Sequence, residues 1–118
     1  MATVLIIDDA AFTRRMLRKY LQIDGYEILE AANGQEGLDM IRSHKPGCVL
    51  TDLLMPDVDG FEFLKTLQQE GLKIPAIIVS ADIQDSSRQQ GIELGAVSFI
   101  NKPAKADEVR QAVRQIFE

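Results

Sequence analysis

Apolar residues gather into five short, β-rich runs, and helix-like spacing follows each one. Val4-Leu5-Ile6-Ile7 is continuously apolar, the pattern of a strand covered on both faces. From Ala10 to Ile23, Phe12, Met16 and Tyr20 recur every four residues, as do Leu17 and Leu21, which predicts a helix. Gly25 stops it. Glu27 to Ala31 reads as a short strand with polar interruptions. Asn33 opens a second helix, with Glu36 three residues on in a capping-box arrangement and Leu38 and Ile41 on its apolar face. That helix ends before Pro46-Gly47. Cys48 to Thr51 is the third strand, and a loop from Leu53 to Asp59 follows, punctuated by Pro56 and Gly60. Phe61, Leu64 and Leu67 form the stripe of a third helix closed by Gly71. Pro75 precedes the strand Ala76 to Val79. Gln84 to Leu94 is the most polar helix, with only Ile92 and Leu94 as large apolar residues after Ile83. Val97 to Ile100 is the last strand, and Lys105 to Phe117 the last helix, with Val109, Val113 and Ile116 inward.

Strand then helix, five times over, implies an α/β fold: a parallel sheet with helices on both faces. Right-handed crossovers leave few topologies. For five strands the common doubly wound, flavodoxin-like order is 2-1-3-4-5, and ligands bind at the carboxyl ends of the strands near the switch point. Asp8 and Asp9 end the first strand, Asp52 the third, Ser80 the fourth and Lys102 the fifth. The topology therefore gathers on one rim residues that lie far apart in the sequence.

The totals narrow the field. The 118 residues fit one domain, 1–118, able to bury a core without disulfides. A net charge of -5 argues against direct nucleic-acid binding. One cysteine excludes an internal disulfide, which fits a reducing cytoplasm; Cys48 reads as a small buried hydrophobe. Met1-Ala2-Thr3-Val4 has no basic start or long apolar stretch, so neither a signal peptide nor membrane insertion is expected. No stretch reads as an output domain. His44, near a helix C-terminus, has no evident catalytic role.

Three carboxylates on one rim repel, and either share a proton or bind a cation. Oxygen donors of this kind suit Mg²⁺. Asp9 and Asp52 are assigned as direct ligands and Asp8 as acting through water, with the backbone carbonyl of Leu54 completing the set. A carboxylate can also be a nucleophile, forming an aspartyl phosphate. Asp52 is the expected acceptor. Lys102 would supply a point charge to one phosphoryl oxygen and the Ser80 hydroxyl a hydrogen bond to another. Each residue also has a plainer reading. Asp52 could form a turn, Asp8-Asp9 could start a helix, Ser80 could sit in a turn, and Lys102 could be solvated. Four such residues at strand ends together favour the functional reading.

With these motifs in place, the chain resembles the receiver domain of two-component response regulators, most closely the single-domain chemotaxis type. The resemblance spans the whole chain. It rests on Asp8-Asp9, on Asp52 with Met55-Pro56 and Asp59-Gly60 behind it, and on Ser80-Ala81, Gly95-Ala96 and Lys102-Pro103. It implies that Asp52 takes a phosphoryl group from a histidine kinase, a histidine phosphotransfer protein or a small phosphodonor, with Mg²⁺ required. The protein would be a switch that catalyses its own phosphorylation and dephosphorylation, not a conventional enzyme. Ser80 would move toward the phosphoryl group and Phe99 turn inward, changing the surface of the fourth helix, fifth strand and fifth helix for a downstream target. A phosphatase is a further partner, and the bond before Pro103 is expected to be cis. By itself, without the resemblance, Phe99 reads as a static core aromatic rather than a switch.

The pattern departs in places. Ser80 replaces the more frequent Thr, and Phe99 lacks the hydroxyl of Tyr. Leu54 and Asp82 occupy the two positions that in the family influence hydrolysis of the phosphoryl group. Arg14, Arg15, Arg18 and Lys19 form a basic cluster, read either as a solvated face or as a dock for an acidic, histidine-bearing partner.

Three rivals remain. A flavodoxin-like cofactor module would need a Ser/Thr/Gly-rich phosphate loop where Asp8-Asp9 stands. A phosphatase with an Asp nucleophile would need a second Asp at the position of Leu54. A receiver cut from a larger regulator would be followed by a DNA-binding or enzymatic domain.

Overall fold

A computed structural model describes residues 2–82 and 84–118. Ile83, named above beside the fourth helix, lies outside them. Among the described residues the strands are β1 (Thr3–Ile7), β2 (Glu27–Ala31), β3 (Cys48–Thr51), β4 (Ala76–Ser80) and β5 (Ala96–Asn101). The helices are α1 (Ala11–Gln22), α2 (Gly34–His44), α3 (Gly60–Gln69), α4 (Asp85–Glu93) and α5 (Ala106–Phe117). All strand pairs are parallel, in the order β2-β1-β3-β4-β5. This is the expected α/β topology, with element ends within a residue or so of those read from the sequence.

Side-chain alternation divides the core between the two faces of the sheet. Leu5, Ile7, Val49 and Ile78 pack with Leu38, Ile41, Phe63, Leu64 and Leu67 of α2 and α3. Val4, Ile6, Leu50, Ile77 and Val79 pack with Leu17, Leu21, Val109 and Val113 of α1 and α5. Both faces of the central strands are covered, which is why they are apolar without alternation.

Two helical stripes differ from expectation. In α1, Leu17 and Leu21 are buried, but Phe12 is 72% exposed. Each four-residue step overshoots a full turn by about 40°. The Phe12-Met16-Tyr20 row therefore drifts around the helix, leaving Phe12 facing away from the sheet. In α3 the buried residues are Gly60, Phe63, Leu64 and Leu67, and Phe61 is only half-buried. The inward face is set by Gly60, which is pressed against β3, so the aromatic that reaches the core is Phe63.

Helix starts follow the polar signals. Asn33 Oδ1 accepts the Glu36 N–H at 2.9 Å, and Asp59 Oδ1 accepts the Glu62 N–H at 2.9 Å. The return bond from Glu36 goes to the Ala32 N–H, one residue before the cap. α4 is held least firmly: among its described residues only Gly91 is buried, and Ile92 is 52% exposed.

Candidate phosphoacceptor site

The sheet continues as hydrogen bonds past its strand ends and so fixes the rim. The Asp8 N–H donates to the Ala31 carbonyl at 3.1 Å, Asp52 to Ile7 at 3.1 Å, and Lys102 to Ser80 at 2.8 Å. The residues that end the strands are thus positioned by the ladder, not by flexible loops.

Asp52 is 7% exposed. Its Oδ1 accepts the Leu53 N–H at 2.7 Å, with a long 3.4 Å approach from the Leu54 N–H, and its Oδ2 accepts from Lys102 Nζ at 2.7 Å. Thr51 Oγ1 donates to the Asp52 carbonyl at 2.9 Å. Asp8 is buried, with Oδ1 on the Ala10 N–H at 2.9 Å and Oδ2 on Lys102 Nζ at 2.8 Å. Burial nevertheless raises its pKa, against the opposing pull of Lys102. Burial disfavours charge on Lys102 too, but hydrogen bonds to Asp52 and Asp8 prevail and its pKa is raised. Asp9 is exposed, and carboxylate oxygens of Asp8, Asp9 and Asp52 all lie within 4.8 Å of one another. Three hard oxygen donors of this spacing fit Mg²⁺.

Ser80 is fully buried, and its Oγ accepts the Asp82 N–H at 3.2 Å. Phe99 is half-buried, with the Arg88 guanidinium 5.6 Å from its ring centroid. Leu54 projects outward, 66% exposed. The Lys102–Pro103 peptide is cis. Burial pushes the Cys48 thiol up to about 12, so it is not a reactive group.

The basic cluster on α1 is divided. Arg14 and Arg18 pair with Glu30 through their Nε atoms at 3.1 and 2.6 Å, and Arg15 and Lys19 are exposed. The sequence did not disclose that Arg14 also donates to the Asp8 carbonyl at 2.5 Å, bracing the β1–α1 turn. In the sequence Gly60 was legible only as loop punctuation and as part of the Asp59-Gly60 motif. A Cβ there would lie 2.3 Å from the Asp52 carbonyl oxygen, so α3 could not approach β3 with any larger residue.

The response regulator receiver domain family matches residues 4–114. The chemotaxis protein CheY of Bacillus subtilis is 38% identical over 113 residues, covering 95% of this chain and 94% of its own. The probable transcriptional regulator ycf27 of Porphyridium aerugineum is 37% identical over 96% of this chain but only 47% of its own, so the chain spans about half the length of several curated relatives. The crystallised Vibrio cholerae chemotaxis protein CheY4 superposes with a TM-score of 0.91 at 28% identity, over 98% of both chains. Relatives named as transcriptional regulators remove the support for excluding nucleic acid on charge alone. Among the described residues no helix is long and apolar enough to cross a membrane. With the 2-1-3-4-5 sheet and the acidic rim, these likenesses show that the chain belongs to the response regulator receiver domains.

Proposed function

We propose that residues 1–118 act as a receiver whose Asp52 accepts a phosphoryl group from a histidine kinase, a histidine phosphotransfer protein or a small phosphodonor. The observation that carries this reading is the placing of Asp52 at the end of β3, within 4.8 Å of two further carboxylates and 2.7 Å from Lys102 Nζ. A carboxylate oxygen of Asp52 attacks phosphorus in line, the bond to the donor nitrogen or oxygen breaks, and an acyl phosphate forms. Asp8, Asp9 and Asp52 are the side chains that would hold Mg²⁺, with the Leu54 carbonyl as a further oxygen donor. Bound there, Mg²⁺ would offset the negative charge of Asp52 and of the incoming group. Lys102, held between two carboxylates, would follow the new charge onto a phosphoryl oxygen, and the Ser80 hydroxyl would serve another. Hydrolysis returns the resting state, so the chain speeds its own phosphorylation and dephosphorylation while acting as a switch.

Phosphorylation adds roughly -1.5 to -2 charge at one point. The arrangement that brings Ser80 and Lys102 to that charge gains by the contact. Phe99 then turns inward, and the face of α4, β5 and α5 changes for a downstream target. A donor protein would dock on α1, where Phe12 is exposed beside Arg15 and Lys19 and a cleft of about 380 Å³ runs past Met16, Lys102 and Pro103. A phosphatase that clears the group is a further partner of the same rim, and the cytoplasm is where kinase and receiver would meet.

Acetyl phosphate with Mg²⁺, followed by intact-mass spectrometry, tests the assignment. One added phosphoryl group is expected in the wild type and none in Asp52→Asn. Undiminished labelling of that variant would overturn it.

A further inference from the structure

One residue, Asp82, joins the Ser80 hydroxyl to the start of α4. Its backbone N–H donates to Ser80 Oγ at 3.2 Å. Its carboxylate faces the other way, accepting the Gln84 N–H on Oδ1 at 3.0 Å and the Ser87 hydroxyl on Oδ2 at 2.5 Å. These bonds, that of Ser87 foremost, hold the Asp82 carboxyl below the usual carboxylate range. Gln84 precedes the first residue of α4 and contributes no side-chain cap, so the carboxylate of Asp82 ties the helix start from outside, through the Gln84 N–H and the Ser87 side chain. Burial holds α4 weakly, since its buried residue among those described is a glycine. Arg88, next after Ser87, lays its guanidinium over Phe99. An ordinary turn-forming Asp satisfies only its own loop; Asp82 also reaches the Ser87 side chain in the first turn of α4.

We propose that Asp82 is the resting-state tether of α4. Through one peptide unit it fastens the Ser80 hydroxyl to the first turn of the helix, and through Arg88 to the Phe99 ring. Drawing Ser80 Oγ toward a phosphoryl group on Asp52 takes away the acceptor of the Asp82 N–H, loosens the helix start and releases Phe99. This rests on the phosphorylation reading above.

Hydrogen exchange of the full chain, with intact mass measured on the same samples, tests it. Without phosphodonor, Asp82→Ala and Ser87→Ala should each speed exchange of the α4 amides about fivefold, as for loss of a helix cap, with β1 and β3 unchanged. The double variant should be no faster than Asp82→Ala alone, which already removes the Asp82–Ser87 bond. With acetyl phosphate and Mg²⁺, wild-type α4 should accelerate as the mass rises, and Asp82→Ala should respond less than about twofold, the cap being already lost. Wild-type exchange in unphosphorylated Asp82→Ala, or unchanged α4 exchange in fully phosphorylated wild type, would overturn the tether. A wild type that gains no phosphoryl group would count against the phosphorylation reading instead, and the unphosphorylated variants would still decide the tether.

Discussion

Lys102 Nζ lies 2.7 Å from Asp52 Oδ2, although the two residues are 50 apart in the chain. The same ammonium lies 2.8 Å from Asp8 Oδ2, so one cation serves two buried carboxylates. Because the Lys102 pKa is raised in the fold, the stability it contributes is fully present below its ordinary value of 10.5 and is lost as pH rises through the higher folded value. Lys102→Ala leaves the two carboxylates unpaired. At neutral pH the cost should be about 1.5–3 kcal/mol, the range for hydrogen bonds to charged groups. Melting should fall by roughly 4 °C per kcal/mol for a domain of this size. Acidification should recover part of the loss, since burial raises the Asp8 pKa and its protonation ends the repulsion. An unchanged melting temperature would contradict this account of the rim.

Asp8 and Asp9 are neighbours in the chain but not in environment: the first is buried and doubly bonded, the second exposed. Asp9→Asn should therefore change stability by less than about 0.5 kcal/mol. It should weaken Mg²⁺ binding by roughly tenfold or more, since even outer partners of metal ligands are worth that much. Calorimetric titration with MgCl₂ reads the second effect directly. Equal Mg²⁺ affinity in wild type and variant would remove Asp9 from the ligand set.

Gly60 carries a packing prediction. A Cβ at this position would stand 2.3 Å from the Asp52 carbonyl oxygen and 2.8 Å from Leu53 Cα, both backbone atoms that cannot swing aside. Gly60→Ala should cost about 1–3 kcal/mol through overpacking. Because the nearest displaced atom belongs to the acceptor Asp52 itself, labelling by acetyl phosphate should fall as well. A variant that melts like the wild type would show that α3 can slide away from β3.

What the sequence made legible follows from what depends on local pattern. Val4 to Ile7 and Cys48 to Thr51 declare themselves as doubly covered strands, and the polar residue that ends each run declares the rim. Asp8, Asp52, Ser80 and Lys102 therefore needed only strand order to be brought together. Contacts between elements were not legible. A four-residue apolar row cannot show that Phe12 has rotated away from the sheet, nor a basic cluster that Glu30 on β2 claims Arg14 and Arg18. Asp82 looked like a residue affecting hydrolysis; its carboxylate turns out to face α4 while its N–H faces Ser80.

Asp24, in the turn after α1, gives a test of how the back of the sheet is closed. Arg110 on α5 donates to Oδ1 through Nη2 at 2.8 Å and to Oδ2 through Nε at 3.1 Å, and Arg114 adds a looser contact at 3.6 Å. The hydrogen bond from Arg110 holds the Asp24 carboxyl below its ordinary range. A lowered folded pKa means stability that is present above pH 3.8 and is lost as pH falls through the lower folded value. Asp24→Asn keeps the shape but abolishes the charge. It should melt below the wild type at neutral pH and converge on it in acid, because protonation of Asp24 brings the wild type to the same uncharged state. Thermal melts of both proteins from pH 7 to pH 2.5 would show the convergence. A constant offset across that range would mean that the forked bond from α5 to this turn contributes through packing alone.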